Sequence, residues 1–338
     1  MHGNVRSHAF VFLILWQGRL SQVCENGKWA VQHPDKSKYA RVPVEAFAGN
    51  VTLAEQSFMG LRCPYQPIGH SCYLRDSARA RTIEERIWIS TDERCNLLTP
   101  RDYLETLRNK TLLLYGDSMA IQIFSTLMCT LNHFLHSDLI WNKFSPYLEG
   151  GQISFPDTTT TIAIRYDTKF DVEHISTTFA DMRLTTRDIF IFNIGLHYND
   201  KSAYESVLRK ALDTISTVNR TRSLPKMFFL QTTPQHFATD NGYFNPQLSS
   251  KNCTIKSSPG QMKNGDWRNI ALDNTISKWR DFGSIRNAHV IRIANALYSQ
   301  YDAHIDRNGS DCTHFCIPSA VFPFIHRTLF NDIRQYQS

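Results

Sequence analysis

One short stretch in the first half of the chain constrains its fold more strongly than any other. The apolar run Thr111-Leu-Leu-Leu-Tyr115, bounded by Lys110 and Gly116, is typical of a buried strand. Apolar residues then recur at helical spacing at Ile121, Phe124, Leu127, Met128 and Leu131. Gly116-Asp117-Ser118 is therefore predicted to form a tight turn between a strand and a helix, with the serine at the start of the helix.

A serine in this position has two interpretations. The backbone N–H groups of the first helical turn and the positive end of the helix dipole favour a developing oxyanion, which suits a nucleophile. Serine is also a common N-cap after a glycine turn, and short motifs produce many false positives. For the tripeptide taken alone, the cap is the favoured interpretation.

The far end of the chain supplies the partners that a nucleophilic serine needs. The sequence there is Asp311-Cys-Thr-His314-Phe-Cys-Ile-Pro318. A serine nucleophile needs a base to take its proton, and the base needs a carboxylate that fixes its tautomer and stabilises the imidazolium. Asp311 and His314 can supply both from one loop before a predicted terminal helix. We therefore predict a catalytic triad of Ser118, His314 and Asp311.

These motifs resemble those of a known superfamily. Gly116-Asp117-Ser118 looks like the nucleophile block of SGNH/GDSL hydrolases, and Asp311-x-x-His314 looks like their acid–base block. More closely, the chain resembles the PC-esterase and trichome-birefringence-like family of polysaccharide O-acetyltransferases. The closing signature of that family, Asp-Cys-x-His-Trp-Cys-x-Pro, matches residues 311–318 with Phe315 in place of Trp. Its opening Cys-x-x-x-Gly-x-Trp has a looser counterpart in Cys24-Glu-Asn-Gly27-Lys-Trp29.

The resemblance implies an enzyme that transfers acyl groups to or from the hydroxyls of a glycan. Ser118 would attack the acyl donor, His314 would act as general base and then acid, and Asp311 would orient His314. A polysaccharide O-acetyltransferase is expected, with acetyl-CoA or an acetylated intermediate as co-substrate and with no bound cofactor or metal. The alternatives are a carbohydrate O-acetyl esterase and a catalytically inactive glycan-binding protein.

Strand and helix patterns alternate along the chain. Buried strands are predicted at 111–115, 188–194, 226–231 and 288–293, with a strand pair at 152–155 and 161–166. Helices are predicted at 99–108, after Ser118, and at 202–218, 266–282 and 319–333. This alternation predicts an α/β fold, a three-layer α/β/α sandwich with a parallel, SGNH hydrolase-like sheet, over residues 111–338.

Further candidate site residues follow the predicted strands. Asn193 and Gly195 close one strand, and the carboxyl ends of parallel strands meet at one edge, so both are expected beside Ser118. The resemblance implies that Asn193 and a glycine N–H hold the oxyanion together with the serine N–H. A hydrogen bond to strand-end backbone is the alternative for Asn193. The candidate substrate-binding residues are His197, Gln231 and His236, and a structural role is the alternative for the two histidines.

Eight cysteines and five N-x-Ser/Thr sequons indicate the secretory pathway. The sequons lie at Asn50, Asn109, Asn219, Asn252 and Asn308. Together they predict a protein of the Golgi lumen or a secreted protein.

Sequence reasoning alone leaves the cysteine pairing open. The family pattern implies Cys24–Cys95, Cys63–Cys129, Cys72–Cys316 and Cys253–Cys312. Zinc bound by Cys312, His314 and Cys316 is a rival that a secreted context disfavours.

The N-terminal part of the chain precedes this predicted catalytic domain. Residues 1–23 contain an apolar run of about eight residues after a weakly basic start. A bilayer needs roughly twenty apolar residues, so the run predicts a signal peptide or a short membrane anchor. Residues 24–110 contain Cys, Pro and Gly throughout, which predicts a loop-rich segment. The resemblance implies that this segment is a disulfide-linked extension packed on the catalytic domain.

Composition narrows the class of partner. The formal net charge is +6, but Lys and Arg are scattered, and no basic run carries interleaved aromatic residues. Nucleic acid is therefore not an expected partner. The expectation of a glycan partner comes from the resemblance. The sequence indicates no oligomeric state. At 338 residues the chain is long enough for one large domain with a substantial core.

Overall fold

The computed structural model describes most of the chain between Cys24 and Gln337. Described are residues 24–31, 70, 72, 76–95, 97–131, 134, 150–169, 171–221, 224–240, 242–245, 247, 253–254, 266–281, 288–306, 311–317 and 319–337. The predicted signal peptide or anchor, residues 1–23, is outside these ranges. Within them, no helix combines the length and the apolar character needed to cross a membrane.

Strands and helices alternate in chain order. The strands are β1 (Gly27–Val31), β2 (Arg86–Ser90), β3 (Thr111–Gly116), β4 (Gly151–Phe155), β5 (Thr160–Tyr166), β6 (Ile189–Asn193), β7 (Lys226–Leu230), β8 (Ala288–Ile291), β9 (His304–Asp306) and β10 (Asp311–Phe315). The α-helices are α1 (Ser77–Glu84), α2 (Pro100–Thr106), α3 (Ser118–Leu131), α4 (Val172–Asp181), α5 (Lys201–Thr221), α6 (Trp267–Asp281), α7 (Ala294–Leu297) and α8 (Val321–Gln337).

A six-stranded sheet forms the centre, in the order β4-β5-β3-β6-β7-β8. Five of its strands are parallel, which confirms the predicted α/β fold with a largely parallel sheet. The predicted strand pair at 152–155 and 161–166 is present as β4 and β5, and β4 runs antiparallel to β5 at one edge, so the sheet is mostly rather than entirely parallel. Only the short 3-10 turn Pro156–Thr158 and Thr159 separate these two strands. A parallel pair needs a much longer crossover, so the chain can only turn back.

Successive side chains of β3 point to opposite faces of the sheet, and both faces are covered. Leu112 and Leu114 pack in a cluster with apolar residues of α2, α3 and α8. Leu113 and Tyr115 pack on the other side with residues of α4, α5 and α6. Since every described apolar side chain of β3 is buried, this strand lies at the centre of the core.

The N-terminal residues contact the C-terminal helix. Strands β1 and β2 form an antiparallel pair in which Trp29 lies opposite Trp88. Both indole rings pack edge-on against Phe324 of α8, and the Trp29 Nε1–H donates to the carbonyl of Ala296. The helix predicted after Thr99 is α2, and its N-terminus carries the reciprocal hydrogen bonds of a capping box between Thr99 and Asp102.

Three of the four disulfides implied by the resemblance are present, Cys24–Cys95, Cys72–Cys316 and Cys253–Cys312. Cys129 is also disulfide-bonded, while its expected partner Cys63 belongs to the part of the chain left undescribed. The rival zinc hypothesis is wrong, because both of its cysteines, Cys312 and Cys316, are held in disulfides.

Two of the five sequon asparagines fall in described segments. Asn109 is exposed and has a φ of 57° at the turn that precedes β3. Asn219 lies near the end of α5. The sequons at Asn50, Asn252 and Asn308 fall outside the described ranges, and glycosylation at all five remains a prediction.

Candidate active site

The turn between β3 and α3 has the predicted form. Ser118 is the first residue of α3, and Asp117 joins it to the last residue of β3, Gly116. A Cβ built on Gly116 would lie 1.9 Å from the carbonyl oxygen of Asn193. Only glycine lets β3 and β6 end this close together, so the turn brings Ser118 next to the carboxyl end of β6.

Ser118, His314 and Asp311 form one hydrogen-bonded chain. The Nε2 atom of His314 lies 2.7 Å from Ser118 Oγ, and its Nδ1 atom lies 2.8 Å from Asp311 Oδ2. An ionised carboxylate can only accept, so Nδ1 carries the hydrogen and Nε2 offers its lone pair to the serine hydroxyl. This arrangement can remove a proton from Ser118 and hold the resulting imidazolium.

Asp311 is fixed by two further bonds. Its Oδ1 accepts the backbone N–H groups of Thr313 and His314, each at 3.0 Å. Burial acts to raise the pKa of Asp311, but the hydrogen bonds and the charge of His314 outweigh it and lower that pKa below its usual value. The sequence predicted a loop here, whereas Asp311 and His314 lie on the short strand β10, which pairs irregularly with β9.

Asp117 connects the serine turn to the segment after β6, a role that sequence reasoning missed. Its Oδ1 accepts the N–H of Met119 at 3.0 Å, and its Oδ2 accepts the N–H groups of Gly195 and Leu196, each at 3.3 Å. Burial raises the pKa of Asp117, against the effect of these bonds and of nearby His197. The carboxyl group thereby fixes the distance between the two segments.

Asn193 and Gly195 lie beside the turn, as predicted. Asn193 is 3% exposed, and its carbonyl accepts the N–H of Asp117 at 3.2 Å. Its Nδ2 group donates to the carbonyls of Leu230 and Gln231, both at 3.2 Å. Both amide hydrogens are thus directed at strand-end backbone, which is the alternative to an oxyanion role. A Cβ on Gly195 would lie 2.1 Å from the Thr232 Oγ1 atom, so no larger residue fits there.

We expect Asn193→Ala to lower the free energy of unfolding by about 1–3 kcal/mol, because its two buried hydrogen bonds to the carbonyls of Leu230 and Gln231 are lost. Asn193→Asp should be at least as destabilising, since a carboxylate would face two carbonyl oxygens. Thermal denaturation measures both effects. A variant as stable as the wild type, with turnover lowered about 10² to 10³ fold, would instead support an oxyanion donor.

The three candidate substrate-binding residues have different surroundings. His197 is exposed after β6, near Asp117. Gln231 is buried, and its Oε1 accepts the N–H groups of Ile293 and Ala294 at 3.2 Å, a structural contact between the ends of β7 and β8. His236 is completely buried within hydrogen-bonding distance of His304.

His236 and His304 link a backbone carbonyl to the segment that carries His314. His236 Nε2 lies 2.8 Å from the carbonyl of Tyr298, the two rings meet at 2.6 Å, and His304 Nδ1 lies 3.0 Å from the carbonyl of His314. Burial lowers the pKa of His236 to about 4 and that of His304 well below its usual value. Each of these three contacts needs one ring hydrogen to be a hydrogen bond. Two neutral rings carry only two hydrogens, so one of the three contacts lacks a hydrogen. His304 was not singled out from the sequence.

Gln122 and His70 also adjoin the base and were not singled out as site residues. Gln122 Oε1 accepts the N–H of Phe315 at 3.2 Å, and its Nε2 donates to the carbonyl of Phe315 at 2.9 Å. The same Nε2 lies 3.1 Å from Nδ1 of His70. The His70 ring stacks on that of His314. Residue spacing gave no signal for these contacts, because they join segments that are distant in sequence.

Comparison with known proteins returns no family for this chain. No protein-family model matches it, and none of the curated proteins matches it.

Proposed function

We propose that this protein transfers acyl groups, most specifically acetyl groups, to or from glycan hydroxyls through an acyl-enzyme on Ser118. The observation that carries the proposal is the hydrogen-bonded chain Ser118–His314–Asp311, with its distances of 2.7 and 2.8 Å. A serine that served only as a helix cap would not need a histidine and a carboxylate in this order.

The chain of three residues supports a two-step reaction. His314 Nε2 takes the hydroxyl proton as Ser118 Oγ bonds to the acyl carbonyl carbon. The imidazolium then gives that proton to the leaving group as its bond to the carbon breaks. In the second step an acceptor hydroxyl loses its proton to His314 as its oxygen bonds to the acyl carbon. The imidazolium then returns that proton to Ser118 Oγ as the bond between Ser118 and the acyl group breaks. Asp311 accepts from Nδ1–H throughout and stabilises the imidazolium.

Backbone N–H groups near Ser118 are the proposed oxyanion donors. The first N–H groups of a helix have no intrahelical acceptor, and the helix dipole adds positive potential there. Ser118 N–H meets this description at the start of α3. The resemblance implies Gly195 N–H as a second donor, but this group donates to Asp117 Oδ2 at 3.3 Å and would have to leave that bond to reach an oxyanion. The Asn193 amide donates to the carbonyls of Leu230 and Gln231, so Asn193 would support the site by holding the end of β6 in place.

The substrate and the compartment are proposed on other grounds. The resemblance of residues 311–318 to the closing signature of glycan O-acetyltransferases supports a polysaccharide as acceptor. The resemblance also supports an SGNH-type fold for the α/β domain. Disulfides among the described cysteines support an oxidising compartment such as the Golgi lumen or the extracellular space.

A labelling and turnover experiment tests the proposal. Purified protein would be treated with a fluorophosphonate, and the labelled residue would be mapped by mass spectrometry. The protein would then be incubated with acetylated and unacetylated glycans, with and without acetyl-CoA, while acetate release and acetate transfer are measured. Labelling at Ser118 with transfer exceeding release supports the transferase. Release alone supports an esterase, and glycan binding with neither labelling nor turnover supports the binding protein.

A further inference from the structure

Two similar tripeptides meet beside the base. His70-Ser71-Cys72 and His314-Phe315-Cys316 each place a histidine two residues before a cysteine, and the two cysteines form a disulfide. Both cysteines are completely buried. The backbone adds a further link, because the N–H of Ile317 donates to the carbonyl of His70 at 2.9 Å. Covalent and backbone bonds therefore hold His70 against the strand that carries His314.

The two histidine rings are stacked. Their centroids lie 5.6 Å apart, and their planes differ by 18°. This is the offset parallel arrangement that aromatic rings prefer. One side of the His314 ring is thus in contact with His70 while its two nitrogens bind Ser118 and Asp311. Rotation of the base out of the triad would require this stacking contact to break.

Gln122 fixes the tautomer of His70. Its Oε1 accepts from Phe315 N–H, so its other terminal atom is the NH₂ group, which can only donate. That group faces Nδ1 of His70 at 3.1 Å, and Nδ1 must therefore accept and carry no hydrogen. A neutral His70 with its hydrogen on Nε2 is the form that fits. An uncharged ring can stay stacked on His314 when the base becomes an imidazolium.

We propose that His70 is a positioning residue that holds His314 in its productive orientation through the stacked ring face. The inference rests on the proposed function of the Ser118 triad. Aromatic character at position 70 is what the proposal requires, whereas the bond to Gln122 serves to orient the ring. The part of the chain before the sheet thus contributes to the geometry of the base.

Three substitutions separate the ring face from the hydrogen bond. His70→Phe keeps an aromatic face and loses the Nδ1 acceptor. His70→Asn keeps an acceptor near the Nδ1 position and loses the face. His70→Leu loses both while keeping apolar bulk. Melting temperature and mapping of the Cys72–Cys316 disulfide establish that each variant is folded before it is compared.

Two measurements then test the proposal on the intact protein. The first is the second-order rate of fluorophosphonate labelling at Ser118. We expect it to fall about 10 to 10² fold in His70→Asn and His70→Leu, as for a misplaced catalytic group, and to stay within about threefold of wild type in His70→Phe. The second is the His314 Nδ1–H proton signal in NMR spectra, assigned by its loss in His314→Gln. We expect it to broaden in the Asn and Leu variants and to persist in the Phe variant.

The NMR signal reports the orientation of His314 whether or not the protein turns over substrate. A wild type that does not label at Ser118 defeats the proposed function, while the NMR contrast between His70→Phe and His70→Asn still decides the role of His70. Unchanged signals in both His70→Asn and His70→Leu would overturn the positioning role. So would equal losses in His70→Phe and His70→Leu, because the bond to Gln122 would then be the essential feature. Should His70→Asn not fold, the Phe and Leu variants decide alone.

Discussion

Ser118→Ala is expected to abolish both acyl turnover and covalent labelling while the protein keeps its wild-type fold. Ser118 Oγ is the protein atom that bonds to the acyl group in the proposed reaction, so the loss should be on the order of 10⁶ in turnover, the scale seen for a lost triad serine. The hydroxyl donates to His314 Nε2, and its removal leaves the Asp311–His314 pair in place. The melting temperature should therefore change little.

A second serine of the same helix provides the matched control. Ser125 lies in the same helix α3, where it is buried while Ser118 is half-buried, and no hydrogen-bond partner of its Oγ lies among the described residues. Ser125→Ala makes the same chemical change seven positions further along, and we expect it to label and turn over like wild type. If Ser118→Ala retained a near wild-type rate of acyl transfer or ester cleavage, Ser118 would be a helix cap, and the proposed function would fall with it.

The sequence predicted those features that local patterns determine. The apolar run of β3, the glycine turn and the helical spacing of α3 lie within one continuous stretch, and each was predicted from it. The predicted helices appear as α2, α5, α6 and α8, with ends shifted by a few residues. Helix α4 was missed, although Ile175 and Phe179 are four positions apart and buried on one face.

Motifs and the resemblance predicted the triad and the Cys72–Cys316 disulfide, which join distant segments, but distant contacts that no motif marks were not predicted. His70 reaches the base through a disulfide partner that only the folded chain brings near, and Asp117 bonds to Gly195 across the ends of two strands. Asn193 shows the same limit, because its position was predicted, but its amide contacts the carbonyls of Leu230, the last residue of β7, and of Gln231, which follows it.

Asp311→Asn should reduce turnover less than the loss of Ser118, on the order of 10⁴, the scale seen for the triad aspartate of serine proteases. In the wild type, Oδ1 accepts two backbone N–H groups and Oδ2 accepts His314 Nδ1–H. An asparagine whose oxygen keeps the backbone bonds turns its NH₂ toward Nδ1. His314 must then place its hydrogen on Nε2, the atom that should take the proton of Ser118. Labelling should slow accordingly without being abolished.

The same substitution has an expected signature in the pH dependence of stability. Because the pKa of Asp311 is lowered in the folded protein, its contribution to stability is complete above the unfolded pKa of about 4 and is lost as the pH falls through the folded value. The melting temperatures of wild type and Asp311→Asn should therefore converge as the medium is acidified below that pH. Asp213→Asn, on the exposed side of α5, is the matched control and should follow the wild-type curve. A constant difference between wild type and Asp311→Asn at every pH would mean that Asp311 stabilises the fold without its charge. The imidazolium of the proposed mechanism would then lack its counter-ion.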